Sequence, residues 1–149
     1  MDPNISLEEA REFFKNDHFA TEACGCRVVE AGPGHAVCEF DIEEKHLNGF
    51  GGVRAPLVEC VALGNVMGGA IFTLADFAVA IASNIGEEPS ACVVCSIQFM
   101  KGAKGDKLIA TASTDRSGRT LGFYTIDVVD NLGTKVAKMT ATCSRKPKA

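Results

Sequence analysis

Apolar positions along this 149-residue chain change their period more than once, and each change marks an element. Leu7, Ala10, Phe13 and Phe14 recur at helical spacing. Ser6 precedes them and Glu9 follows three residues on, a capping-box pattern that starts a helix expected to end near Asn16-Asp17. From Gly34 the period falls to two. Ala36, Cys38, Phe40 and Ile42 alternate with Val37, Glu39 and Asp41, as in a half-buried strand. Residues 48–69 are glycine-rich and irregular. The stretch AIFTLADFAVAIASN (70–84) is then apolar almost all round, so it predicts a helix with no face to offer water, closed by Asn84, Gly86 and Pro89.

From Ala91 onward three to four strands are expected. Val93, Cys95, Ile97 and Phe99 alternate with Val94, Ser96, Gln98 and Met100. DKLIATASTD, LGFYTIDVVD and KVAKMTATCS follow, joined through DRSGRT and DNLGT turns, which makes neighbouring strands antiparallel. An all-apolar helix beside a run of antiparallel strands implies an α+β fold, a curved sheet wrapped around the helix. Length and the absence of a linker or repeat suit one domain over residues 1–149.

Composition narrows the function classes. The chain is 46% hydrophobic and 23% charged, within the ordinary range for a soluble globular protein. Its net charge of −4 argues against nucleic acid as a partner, although a ligand with a few phosphates needs only a local basic cluster. The acidic start MDPNISLEEAREFF has no apolar signal core, and Asp76 interrupts the longest apolar run. A cytoplasmic protein without a membrane span is expected. Seven cysteines are an odd number in a chain large enough to need no disulfide staples, so reduced thiols are expected. Cys38, Cys92, Cys95 and Cys143 read as small apolar residues, and Cys24 and Cys26 are too close to bridge. Cys92-x-x-Cys95 has metal-ligand spacing but lies mid-strand without a companion pair, so no metal is expected.

The segment best suited to chemistry joins Gly68-Gly69 to Asp76, the one ionisable residue of the apolar helix. Glycines let a ligand approach the first helical turn, whose amide N–H groups lack intrahelical acceptors and lie at the positive end of the dipole. Such a turn suits a carbonyl oxygen that gains negative charge when a thioester is attacked. Asp76 could act on the carbonyl carbon as a nucleophile, or through water as a general base. Seven residues separate Gly69 from Asp76, about 10 Å along a helix. One helix cannot bring both to the same carbon, so the site is expected to be shared across a two-fold dimer. Thr73, one turn before Asp76, is placed to orient the carboxylate. The competing structural explanation makes Asp76 a buried carboxylate bonded to a neighbour's amides, and Gly-Gly a close-packing device.

These residues resemble the PaaI-like hotdog thioesterases, the phenylacetic-acid-pathway type. Asn48-Gly49, Gly68-Gly69, TLADFAVAIASN and the strand-forming tail follow that family's order over nearly the whole chain. The resemblance implies a hotdog dimer, often paired into a tetramer, that hydrolyses a small, medium-chain or aromatic acyl-CoA to free acid and CoA. No separate cofactor is implied, since CoA arrives as part of the substrate. It also implies that Asp76 is the catalytic carboxylate, that Gly69 supplies an oxyanion amide, and that Asn48 lies near the thioester. Two departures stand out. Met67 occupies the place before Gly68-Gly69 where the family usually has histidine. Residues 52–64 look inserted, as a flap, extra dimer surface or loop, which makes Asn65 a rival to Asn48.

Arg116 and Arg119 flank a hairpin turn, with Lys101 and Lys104 in another; they either meet CoA phosphates or are solvated turn charges. His18, His35 and His46 read as surface or turn residues. Tyr124 and Phe123 read as core or interface, and no cysteine is marked as a nucleophile. Besides hydrolysis, a weakly active acyl-CoA-binding protein and a hydratase on the same fold stay open.

Overall fold

The computed structural model describes residues 1–49 and 66–146. The expected insertion at 52–64 and Asn65 fall outside the described residues. Helix α1 spans Leu7–Phe14, with both halves of the capping box formed: Glu9 N–H donates to Ser6 Oγ at 3.2 Å, and Ser6 N–H donates to the Glu9 carboxylate at 2.9 Å. It stops two to three residues short of the expected end. A π-helical turn, Phe19–Ala23, leads into strand β1 (Arg27–Gly32), which the sequence pattern did not disclose. β1 is a short edge strand, and only Val28 in it is buried, so it carries no clear alternation. A tight turn then gives β2 (His35–Asp41), in which Ala36, Cys38 and Phe40 point inward as expected.

Helix α2 runs over Gly68–Asn84, and is followed by β3 (Ser90–Phe99), β4 (Lys107–Ser117), β5 (Leu121–Asp130) and β6 (Lys135–Arg145). All pairings are antiparallel in one six-stranded sheet ordered β1-β2-β4-β5-β6-β3. The chain leaves β2, threads α2 along the inside of the sheet, and lands in β3 at the far edge before returning to β4 beside β2. α2 touches every strand. Its Leu74, Ala75, Phe77, Ala78, Val79, Ile81 and Ala82 are buried against inward residues such as Phe40, Leu108, Ile126, Val128 and Met139. This is the sheet wrapped around a helix expected from the all-apolar segment, the hotdog arrangement that the resemblance implies.

Two buried polar groups, neither legible in the sequence, fix the ends of the sheet. Arg145, the last residue of β6, is 6% exposed. Its guanidinium donates to Ser117 Oγ (2.7 Å), the Gly118 carbonyl (2.9 Å) and the Tyr124 hydroxyl (2.7 Å), with the Glu87 carboxylate at 3.4 Å. Gly122 must lack a side chain, because a Cβ there would lie 2.7 Å from Arg145 Nη2 and 2.8 Å from the Tyr124 ring. Replacing Arg145 with Met should destabilise the fold by about 3–5 kcal/mol, the usual result of removing one partner from a buried charged network. Urea unfolding measures this, and a loss below about 1 kcal/mol would show the network to be energetically idle.

At the opposite end Asp130, 2% exposed, accepts four backbone N–H groups: Lys104 (2.7 Å), Gly105 (3.0 Å), Leu132 (3.0 Å) and Thr134 (2.8 Å). Burial alone would raise its pKa. The amides of Lys104, Gly105 and Thr134 outweigh that and hold the carboxyl well below the usual carboxylate range. A depressed native pKa stabilises the fold above the unfolded value near pH 4, and that stability is lost as pH falls toward the native pKa. Asp130→Asn should therefore cost about 2–4 kcal/mol at pH 7. The gap from wild type should shrink progressively below about pH 4. Equal gaps at pH 7 and pH 3 in urea titrations would contradict this.

Candidate functional site

Most of α2 is buried, but one stripe is not. Gly69, Thr73, Asp76 and Ala80 recur at intervals of four, three and four, and each keeps some exposure. Asp76 is thus the polar group on the uncovered side of an otherwise apolar helix. Burial pushes its carboxyl pKa up, and the nearby Asp17 adds to the shift. A carboxylate so placed is a better proton acceptor than an ordinary aspartate.

The α2 N-terminus is built by residues on either side of it. Met67 is the N-cap and offers no side-chain cap, so its carbonyl accepts from Ala70 N–H (3.0 Å) and Ile71 N–H (3.3 Å) while Gly68 and Gly69 present first-turn amides. A Cβ on Gly68 would meet the Phe99 ring at 3.0 Å, which explains the first glycine as a close approach of β3. A Cβ on Gly69 would lie 2.5 Å from Met67 Cε, so the exposed Met67 side chain folds over the second glycine. Thr73 Oγ1 donates to the Gly69 carbonyl at 2.8 Å. Its hydroxyl is turned to its own helix and not to Asp76, where it was expected to orient the carboxylate; a threonine four residues past a helical carbonyl readily makes this bond.

His46 is a residue that sequence reasoning missed. Expected as a surface or turn residue, it does lie in a 3₁₀ turn (Glu44–His46), but it is 2% exposed and stacks on Phe40 with ring centroids 4.3 Å apart. Its Nδ1 accepts from Glu43 N–H (2.9 Å), and Nε2–H donates to the Cys24 carbonyl (2.9 Å). Its own carbonyl accepts from Met67 N–H at 2.7 Å, and Leu47 bridges Val66, so this imidazole anchors the segment that sets where α2 begins. No local pattern marks it; only the fold brings Cys24, Phe40 and Met67 around it. Asn48, two residues on, is half-buried. His18 and His35 are exposed beside Glu22 and Glu30, as expected.

Arg116 and Arg119 are exposed at the β4–β5 turn. That turn lies at the α2 C-terminal end, where Ser117 Oγ donates to Glu87 at 2.7 Å. Within one chain they sit at the opposite end of the helix from Gly69. A groove of about 370 Å³ beside α1 and β1 is lined by Arg11, Lys15, Arg27, Glu39 and Phe77 but not Asp76. Its cations are paired with Glu8, Glu12, Glu39 and Asp41, so it offers little to an anionic ligand.

The described cysteines divide into two groups. Cys24, Cys26 and Cys38 are core residues; burial pushes the Cys26 thiol up to about 12. Cys92 and Cys95, thought to lack a companion, lie beside Asp76, and the three ligand atoms are all within 4.8 Å of one another. Cys143 Sγ is 2.7 Å from Cys92 Sγ. The Cys143 contact and then burial raise the Cys92 pKa; burial and then Asp76 raise that of Cys95. No disulfide occurs among the described residues.

Among the described residues, the strand carrying these thiols is the sheet edge, with no strand paired to its outer side. Val93, Val94, Phe99 and Met100 are 44–60% exposed. An unpaired, apolar edge of ten residues is a template for another strand. Among the described residues no helix is long and apolar enough to cross a membrane.

Comparison with known proteins bears on this geometry. The thioesterase superfamily model matches residues 63–137. The acyl-coenzyme A thioesterase PaaI of Escherichia coli is 30% identical over 131 residues, covering 87% of this chain and 84% of that protein. The solved E. coli PaaI protein from the phenylacetic acid degradation operon superposes with a TM-score of 0.75 at 26% identity, over 97% and 99% of the two chains. A Streptococcus mutans protein solved with acetyl-CoA bound has a TM-score of 0.69 at 27% identity, over 83% of this chain and 90% of its own.

Proposed function

Because this chain belongs to the thioesterase superfamily, among the PaaI-like hotdog proteins, we propose that it hydrolyses acyl-CoA thioesters at a site formed by Asp76 of one protomer and the α2 N-terminus of another. The observation that carries this is the uncovered stripe of α2, which puts Gly69 and Asp76 on one side of the helix beside the bare β3 edge. They are about 10 Å apart, too far to act on one carbon within a chain. Two copies paired edge to edge along β3, related by a two-fold axis, run their helices antiparallel and bring each Gly69 toward the other copy's Asp76. Such pairing would also cover Val93, Val94, Phe99 and Met100.

In this site the thioester carbonyl oxygen accepts from the Gly69 N–H, where the helix dipole favours negative charge. Asp76 takes a proton from water as the new C–O bond forms at the carbonyl carbon. The tetrahedral intermediate then collapses, the C–S bond breaks, and the CoA thiolate leaves with the proton that Asp76 returns. Direct attack by the carboxylate would instead pass through an anhydride, and single turnover in ¹⁸O-water separates the two by whether label enters Asp76. CoA is the carrier half of the substrate, so no further cofactor is called for. Arg116 and Arg119, both exposed, would meet the phosphates of CoA bound at a second protomer's site. Dimers of dimers, a cytoplasmic setting, and a small, medium-chain or aromatic acyl group complete the reading.

Free-thiol release from a panel of linear and aromatic acyl-CoAs tests the activity, with light scattering to give the assembly. Release from at least one acyl-CoA by a dimer or tetramer is expected; release by a monomer would refute the shared site. A second reading rests on Met67, whose methyl lies over Gly69 and would hinder an incoming oxygen. On that reading the chain binds acyl-CoA without turnover, and binding with no thiol release would favour it.

A further inference from the structure

The thiol cluster beside Asp76 does not enter the hydrolytic chemistry, and its geometry is not what a strand ordinarily produces. In a regular strand residues i and i+3 point to opposite faces. In β3, Cys92 pairs with Cys143 and Val94 with Thr142, so Val93 is an extra residue, a β-bulge. The bulge resets the alternation and turns both Cys92 and Cys95 toward α2, where Asp76 meets them. The companion that a C-x-x-C pair needs comes from a helix carboxylate and not from a second cysteine pair.

We propose that Asp76, Cys92 and Cys95 form a binding site for a soft divalent cation of the zinc class, and that an ion held there stops hydrolysis by occupying the catalytic carboxylate. The binding half stands on the geometry alone; the inhibitory half rests on Asp76 acting in hydrolysis as proposed above. Two thiols and a carboxylate suit zinc or cadmium and not magnesium or calcium, which take oxygen ligands. Tetrahedral zinc with Zn–S near 2.3 Å and Zn–O near 2.0–2.2 Å places its ligand atoms about 3.5–3.8 Å apart. The three atoms here lie within 4.8 Å of one another, so side-chain rotations of about 1 Å close the site. All three residues are half-exposed, which leaves room for that movement and a way in. Three protein ligands leave a fourth position for water, or for Cys143 after rotation from its place 2.7 Å from Cys92. Binding releases the thiol protons, as thiolate ligation requires.

The test titrates Cd²⁺ and Zn²⁺ into the intact oligomer with its thiols kept reduced. It follows the ultraviolet cadmium–thiolate charge-transfer band, zinc binding by calorimetry, and thiol release from an acyl-CoA with and without metal. Wild type should give the band at one Cd²⁺ per chain. Cys95→Ser, Cys95→Ala and Asp76→Asn should each weaken metal binding by about 100-fold or more, beyond the loss seen for outer-sphere partners. Circular dichroism confirms that each variant is folded, and two different substitutions at Cys95 guard against one that is not. Zinc should abolish thiol release by wild type, a chelator should restore it, and the with-to-without ratio for Cys95→Ser should stay near unity. No band at stoichiometric Cd²⁺, or a band undiminished in both Cys95 variants, would overturn the site. Stimulation by bound zinc would overturn the inhibitory role. The charge-transfer band reads the site whether or not the protein turns over acyl-CoA, so failure of the hydrolytic reading is distinguishable from failure of this one.

Discussion

Asp76→Asn is expected to lower turnover of acyl-CoA by about 10²–10⁴-fold, with little change in substrate binding or stability. The amide keeps the shape of the carboxylate but cannot take a proton from water or attack a carbonyl. Its burial is already unfavourable to charge, so neutralising it costs the fold nothing that the structure reveals. Stability should hold or rise slightly. Thiol release measured under saturating substrate, beside an acyl-CoA binding isotherm, separates loss of chemistry from loss of affinity. Turnover within about threefold of wild type would remove Asp76 from the reaction.

Gly69→Pro is the second large effect, and it isolates a single amide. Position 69 lies in the first turn of α2, where proline is tolerated because its missing N–H has no intrahelical acceptor. The ring would push against Met67 Cε, the mobile end of an exposed side chain, so the helix should survive. Loss of one oxyanion donor should then lower kcat by about 10²–10³-fold. Co-expression with Asp76→Asn extends the argument. If each site takes Asp76 from one protomer and Gly69 from the other, mixed dimers carry one intact site, and random pairing should recover about a quarter of wild-type activity. If both groups came from the same protomer, the mixture would recover none. That outcome would sink the shared site while leaving the hydrolytic reading in place.

Much of this was legible along the chain. The capping box at Ser6 and Glu9 formed as expected. The inward set Ala36, Cys38 and Phe40 was buried, and α2 lay inside the sheet. The placement of Gly69 and Asp76 on one stripe of α2 was legible because helix geometry is regular enough to convert sequence separation into position. Other features were hidden for identifiable reasons. β1 is a short edge strand with one buried residue, so its pattern lacked contrast. The burial of His46 was hidden because the aromatic ring and the carbonyl that bury it come from Phe40 and Cys24, outside its own turn. Arg145 carried no local signal because it ends a strand and fastens a turn 27–28 residues away.

The sequence by itself determined which segment is interior, because a helix apolar on every side can be satisfied only by enclosure, and which ionisable group sits within it. Tertiary structure alone decided what that group would face. The Val93 bulge exists only in the register between β3 and β6, whose paired cysteines are 51 residues apart. It is this register that turns Cys92 and Cys95 to the same side and delivers them to Asp76. Periodicity is a local property of a chain, whereas the convergence of side chains from three elements depends on strand pairing, and a one-residue slip there reverses every side chain that follows.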